Sequence, residues 1–169
     1  MKLFHLADLH IGKRVNEFSM IEDQKYILKR ILDLAEEEKP DGIILAGDIY
    51  DKQIPSAEAV QVFDEFITRL AGRAIPVFII SGNHDSAERL AFGGRLLNSR
   101  GIYLSPVYDG SVTKIPLKDQ YGTVWIHLLP FIRPSTVRHV FENEADLVTD
   151  VQTAAETVIR HMEIDLKDR

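Results

Sequence analysis

Cysteine is absent from the 169 residues, and tryptophan occurs once. The first absence removes disulfides, thiolate metal sites and thiol nucleophiles together, and it fits a cytoplasmic protein. Long apolar runs are missing too: none approaches the roughly 18 residues of a membrane-spanning helix. Asp8 interrupts the stretch where a secretory signal needs a continuous apolar core, so no such signal is read. No Gly-x-x-x-x-Gly-Lys-Ser/Thr occurs, which sets aside a P-loop nucleotidase. Basic charge is also in short supply, with 20 Lys and Arg against 26 Asp and Glu and a net charge of −6. Affinity for a phosphate backbone comes from counterion release by basic groups, so a nucleic-acid partner here needs bound cations or a second protein to help.

What is present reads as one globular domain over residues 1–169. A hydrophobic fraction of 45% is enough to build a core and argues against disorder. Lys2 to Ala7 reads as a short buried strand. Met20, Ile21, Ile27, Leu28, Ile31, Leu32 and Ala35 recur at helical spacing, and Pro40-Asp41-Gly42 ends that helix. Ile43 to Ala46 is a second strand, and Ser56 caps a helix that turns Val60, Phe63, Ile67 and Leu70 inward. Ile75 to Ile80 is a third strand, followed by a helix opened by Asp85 or Ser86, with Leu90, Leu96 and Leu97 inward. The alternation predicts parallel strands joined by right-handed crossovers. Ser111 to Leu117 and Thr123 to Leu129 read as a hairpin around residues 118–122, and residues 146–166 as a final amphipathic helix.

Each parallel strand runs into a polar cluster: Asp8-Leu9-His10, then Gly47-Asp48-Ile49-Tyr50-Asp51, then Gly82-Asn83-His84-Asp85. Ligands of open parallel sheets bind outside the carboxyl ends of the strands, so topology alone brings the three clusters to one edge. Carboxylate, imidazole and amide oxygen suit divalent Mn, Fe, Zn or Mg rather than soft metals. Asp8 and His10, two residues apart on an extended segment, point the same way. A carboxylate at Asp48, between the other clusters, is placed to bridge two ions about 3.5–4 Å apart. Each cluster alone also reads as ordinary turn chemistry. Asp85 is either a helix cap, forming a capping box with Glu88, or a partner behind a ligand; Asp51 is either a turn residue or such a partner. Lys13, Arg14 and Lys52 follow the motifs at the same edge and are candidate phosphate contacts, against the alternative of solvated surface charge.

Asp8-x-His10, Gly47-Asp48-x-x-Asp51 and Gly82-Asn83-His84-Asp85 together resemble the signature of the calcineurin-like metallophosphoesterases. ADLHIGK at 7–13, GDIYDKQIPS at 47–56, SGNHDS at 81–86 and LPFIRP at 129–134 are similar to segments of that family's DNA-repair nucleases. The resemblance implies an α/β fold of β-sheet layers flanked by helices. It further implies metal-dependent hydrolysis of DNA phosphodiesters, as exonuclease or endonuclease, in complex with an SMC-like ATPase. Two divalent ions are implied, Mn2+ foremost with Mg2+ as the alternative. Asp8 and His10 would hold the first, Asp48 would bridge, and Asn83 would hold the second. His84 would not be a ligand but would sit over the scissile phosphate, stabilising charge or protonating the leaving oxygen, a role suited to imidazole. Helices at 56–71 and 86–99 would form a homodimer interface, with Phe63, Phe66, Leu90 and Phe92 as candidate contacts.

One departure is large. The family completes its metal site with a further histidine and a later Gly-His-x-His motif from a second sheet, and neither is found here. After His84 come only His127, His139 and His161. His127 reads as a core or supporting residue beside Trp125 and Ile126; His139 and His161 read as surface residues. The chain is therefore expected to be the N-terminal portion of a nuclease domain, with an incomplete fold, an incomplete second metal site and little or no activity alone. The rival readings are another phosphatase or phosphodiesterase on the same scaffold, or a non-catalytic piece serving dimerisation or partner docking.

Overall fold

Four parallel strands organise the molecule. The computed structural model describes residues 1–162 and Ile164. In chain order the first half runs β1 (Leu3–Leu6), β2 (Arg14–Val15), β3 (Phe18–Ser19), α1 (Ile21–Glu38), β4 (Gly42–Ala46), α2 (Ala57–Ala71), β5 (Val77–Ile80), α3 (Ala87–Leu90) and α4 (Gly94–Asn98). It continues with β6 (Ile102–Leu104), β7 (Thr113–Asp119), β8 (Gly122–Leu128), α5 (Pro134–Val140), a 3-10 turn over Glu142–Leu147 and α6 (Val151–His161). The main sheet has the order β1-β4-β5-β6, with Leu6 beside Leu45 and Ala46 beside Ile80. Among the described residues no helix is long and apolar enough to cross a membrane.

Because strand order follows chain order, every crossover steps the same way, and right-handed connections then put their helices on one face. The side chains agree. Ile43, Leu45, Val77, Ile79 and Ile102 bury themselves with Leu28, Leu32, Phe63 and Phe66 of α1 and α2 in the principal core. Ser56 caps α2 by accepting a hydrogen bond from the Ala59 amide at 3.2 Å. Lys39 ends α1 in the left-handed conformation, just ahead of Pro40. On the opposite face Phe78 is buried and stacks on Tyr103, with ring centroids 5.5 Å apart. The β7–β8 hairpin closes over part of that face: a Cβ on Gly42 would lie 3.5 Å from Leu117. The terminal ammonium of Met1, 3.3 Å from an Asp119 carboxylate oxygen, ties the hairpin to β1. A smaller core of Tyr108, Ile132, Val137, Val148, Ala154 and Val158 holds the C-terminal helices together.

Several expectations need correction. The helix expected over 86–99 is two short helices, broken where Gly93 adopts φ +75°, and this turns Leu96 out to 79% exposure. Ile102–Leu104 is a fourth parallel strand too short to stand out by periodicity. The hairpin loop is tighter than residues 118–122, because Asp119 and Gly122 still pair and the Asp119 carboxylate accepts from the Tyr121 and Gly122 amides. The final helix starts at Val151, not 146, since Asp150 and Thr153 form a reciprocal capping box. Its expected continuation through 163 and 165–166 lies outside the described residues. Val60 of α2, expected inward, is exposed, and Val62 turns inward instead. Phe63, Phe66 and Leu90, candidate dimer contacts by resemblance, belong to the core; Phe92, at 86% exposure, is the one left open.

Burial assigns different costs to residues of one helix. Phe66→Ala is expected to destabilise by about 3–5 kcal/mol and Val60→Ala to stay within about 0.5 kcal/mol, measured by urea unfolding. Equal effects would contradict the orientation of α2.

Candidate metal centre

The three motif loops leave the sheet side by side and stay hydrogen-bonded beyond it. The amides of Asp8, His10 and Ile11 donate to the carbonyls of Gly47, Asp48 and Ile49 at 3.2, 2.9 and 2.9 Å. Ile11 and Tyr50 form a further parallel bridge. The β1 loop is therefore laid along the β4 loop rather than hanging free. Asp8, His10 and Asp48 sit at φ +56°, +43° and +49°. Left-handed backbone at non-glycine positions costs about 1–3 kcal/mol each and persists only where the surroundings enforce it.

The β5 loop joins through glycine and carboxylate. A Cβ on Gly82 would overlap the Asp48 carboxylate and amide, and one on Gly47, at φ +84°, would come within 2.9 Å of the Gly82 Cα. Only bare backbone lets these two loops approach so closely. Asp48, which is buried, accepts from the His84 amide at 2.9 Å through Oδ1. Asp85 is buried too and accepts from the Ile49 and Gly82 amides at 3.1 and 2.8 Å through Oδ2, and from the Tyr50 amide at 2.9 Å through Oδ1. That settles its two readings. Ser86, not Asp85, caps α3, and Asp85 fastens the second motif loop to the third.

These restraints set the positions of the candidate donor atoms. His10 Nε2 lies 3.7 Å from Asp8 Oδ1 and 3.8 Å from Asp48 Oδ2. Such spacings are too long for hydrogen bonds but match donors that each stand about 2.0–2.2 Å from one shared cation. Ligand atoms of His10, Asp48 and His84 all fall within 4.8 Å of one another. The two imidazoles meet edge to face, with centroids 4.8 Å apart. Asn83 is exposed and lines the same cleft as Asp8 and Asp48. The donor set of carboxylate, imidazole and amide therefore fits a hard-to-borderline divalent ion.

Two contacts orient the histidines. His84 Nδ1 lies 3.0 Å from the Asp51 carbonyl oxygen. A carbonyl only accepts, so Nδ1 carries the proton and Nε2 is the ring nitrogen left for a ligand or substrate. His10 Nδ1 is buried without a hydrogen bond, with Asp51 Oδ1 3.7 Å away. Asp51 thus stands behind both imidazoles. Tyr50, packed edge to face on Phe63, has its phenol pushed up to about 12 by burial first and then by the charges of Asp85 and Asp64, so it stays neutral.

The candidate phosphate contacts divide. Arg14 and Lys52 line one groove with Asp51, though the Arg14 guanidinium also bonds the Glu17 carbonyl in its own hairpin. Lys13 is exposed, and its backbone bonds His10 and Met20. Of the later histidines, His127 is half-buried on β8 and His139 is exposed. His161 stacks on Phe141 and lies 3.1 Å from a Glu144 carboxylate oxygen. None joins the cluster at the strand ends. Sequence reasoning missed Gln24, whose Oε1 accepts from the Gly12 amide at 2.9 Å while Nε2 donates to the Leu9 and His10 carbonyls at 3.1 and 2.7 Å. A glutamine in the first turns of a helix gives no such signal until the helix is seen beneath the loop.

A sequence profile of the calcineurin-like phosphoesterases matches residues 1–163. The chain belongs to that family. The mixed α/β architecture, a parallel sheet flanked by helices, is consistent with the family's fold. The chain is also similar to SbcD of the SbcCD nuclease from Staphylococcus epidermidis, at 38% identity over 145 residues. That match takes in 85% of this chain and 38% of the relative, so the chain spans well under half the relative's length. The family is one of phosphoesterases, and the donor groups gathered at the strand ends are of the kind that could hold a metal ion.

Two substitutions test how the loops are held. Gln24→Ala is expected to weaken Mn2+ binding by about 10–100-fold while the fold persists, as for other groups that orient metal ligands. Gly82→Ala is expected to lose Mn2+ binding together with about 1–3 kcal/mol of stability. Calorimetric titration and urea unfolding read both; wild-type affinity in either variant would contradict the described contacts.

Proposed function

We propose that this chain supplies the metal-binding core of a DNA nuclease that hydrolyses phosphodiesters with two divalent ions, Mn2+ foremost and Mg2+ as the alternative. The observation that supports the reading is the pair of carboxylates, Asp8 and Asp48, 3.7 and 3.8 Å from His10 Nε2, with Asp8, Asp48 and Asn83 on one cleft. The similarity to a nuclease subunit supports DNA over small phosphate esters as the substrate. Asp8 and His10 would hold the first ion, Asp48 would contribute to both sites, and Asn83 would hold the second. Bound divalent ions polarise phosphoryl oxygens and acidify the attacking water. His84, with its Nδ1–H held on the Asp51 carbonyl, would act through Nε2 as acid toward the leaving oxygen or as donor to the phosphoryl charge when the ring carries a second proton there, as imidazolium. Its nearness to His10 and Asp48 is equally that of a ligand, and substitution at this position separates the two roles.

Residues 1–169 are read as the N-terminal portion of the nuclease domain. Asp48 and Asn83 are the donors proposed from this chain for the second ion. DNA, an SMC-like ATPase of the SbcC type and a second copy are the proposed partners, in the cytoplasm, in DNA repair, recombination and replication. Phe92 and Leu96, both largely exposed around the α3–α4 break, support the dimer reading of that region. The rival reading, a non-catalytic docking or dimerisation piece, finds no use for the three strained ligand positions.

Two experiments test this reading. In the complete nuclease domain, His84→Ala is expected to cut DNA turnover at least about 100-fold. The same variant is expected to keep Mn2+ affinity within about threefold, whereas Asp48→Ala loses both. A large affinity loss in His84→Ala would make His84 a ligand; wild-type turnover in Asp48→Ala would reject the centre. Phe92→Glu combined with Leu96→Glu is expected to shift the sedimenting species to monomer, and an unchanged mass would reject that interface.

A further inference from the structure

Adjoining the cleft of the metal centre, and continuous with it, lies a second cleft of about 440 Å³. Both are lined by Asn83 and by Pro130, Phe131 and Ile132. The last three belong to the segment after β8. There the Phe131 amide donates to the Ser81 carbonyl at 2.8 Å, pinning residues 130–133 against the end of β5. Pro130 and Ile132 are buried by that pinning, whereas Phe131 keeps 39% exposure on the cleft and Arg133 is exposed at its rim.

The lining has the composition of a base-binding site rather than of a core defect. Phe131, partly exposed, contributes an aromatic ring to the lining, and Gln53, Ser135 and Thr136 contribute donors and acceptors. Its two carboxylates are already engaged: Asp85 takes three backbone amides, and Glu88 accepts from the Ser86 hydroxyl at 2.8 Å. Arg133 acts on the Glu88 carboxyl, which lies below its ordinary range first through its own backbone amide, then through Ser86, and then through that guanidinium. A local cation also answers the difficulty raised by the net charge of −6, because it meets a phosphate where the strand passes rather than over the whole surface.

We propose that this cleft seats the nucleoside next to the scissile phosphate, with its base stacked on Phe131 and the adjoining phosphate held by Arg133. The inference rests on the nuclease reading above and names the subsite that makes a polynucleotide, rather than any phosphodiester, the preferred substrate. Stacking on an aromatic ring tolerates every base, so the subsite positions the strand without selecting sequence. LPFIRP, which the metal chemistry leaves without a task, acquires one.

The test compares two substrates of the Mn2+-loaded nuclease, a short single-stranded oligonucleotide and bis(p-nitrophenyl) phosphate. Phe131→Leu keeps apolar bulk and removes the ring; Arg133→Gln removes the charge at an exposed position. Each is expected to lower the ratio of kcat/KM for the oligonucleotide to that for the aryl diester at least about fivefold, through KM. In Phe131→Leu the quenching of a 2-aminopurine base beside the cleavage site should be lost as well. An unchanged ratio, or quenching that persists without the ring, would overturn the proposal. If the unaltered protein hydrolyses the aryl diester but no polynucleotide, the nuclease reading fails first, and this outcome is distinct from failure of the cleft alone.

Discussion

The Asp85 carboxylate is the interaction on which the centre depends. It takes backbone amides from Ile49 and Tyr50 on the second motif loop and from Gly82 on the third. Charge-assisted hydrogen bonds of this kind are stronger than neutral ones, and burial raises the cost of leaving any of them unmade. With those loops joined, Gly82 lies against Asp48, Asp48 accepts from the His84 amide, and the first motif loop aligns its amides on the second. The strained backbone at Asp8, His10 and Asp48 is held by this lattice, with Gln24 clamping the first loop from below. Ligand geometry is thus a product of backbone hydrogen bonds made just behind the ligands themselves.

From that arrangement the chemistry follows in order. A parallel sheet delivers three loops to one edge, and together they bring carboxylate, imidazole and amide groups there. Spacings of 3.7 and 3.8 Å between imidazole nitrogen and carboxylate oxygens leave room for a cation and none for direct hydrogen bonds. Asp51 unites the outer layer, because its carbonyl fixes the His84 tautomer and its carboxylate stands behind His10. The neighbouring cleft, walled by Asn83 and floored by a segment tied to Ser81, extends the same edge toward a longer substrate.

Much of this was legible in the sequence. Strands β1, β4 and β5 and helices α1 and α2 announce themselves because burial on one or both faces leaves an apolar pattern, and Ser56 marks its cap openly. The three polar clusters stand out because a parallel topology makes strand ends adjacent without any contact being known. Other features left weaker marks. The break at Gly93 lies inside an amphipathic pattern that continues past it, so periodicity reads one helix where there are two. Ile102–Leu104 is too short to show a period, and the Asp150–Thr153 capping box moves a helix start that apolar spacing alone places earlier. Asp85 allowed two readings because a carboxylate ahead of a helix serves either its own helix or a distant loop, and only the fold decides. Gln24 carries no motif at all, and LPFIRP marks Phe131 and Arg133 by resemblance only; what these side chains lie against appears only with the fold.

Everything turns on where a divalent ion settles. Anomalous diffraction from crystals soaked in Mn2+ measures this directly. The expected result is a peak about 2.0–2.2 Å from His10 Nε2, shared with carboxylate oxygens of Asp8 and Asp48. Density for Mn2+ only at other surface carboxylates, with this edge of the sheet empty at saturating metal, would contradict it.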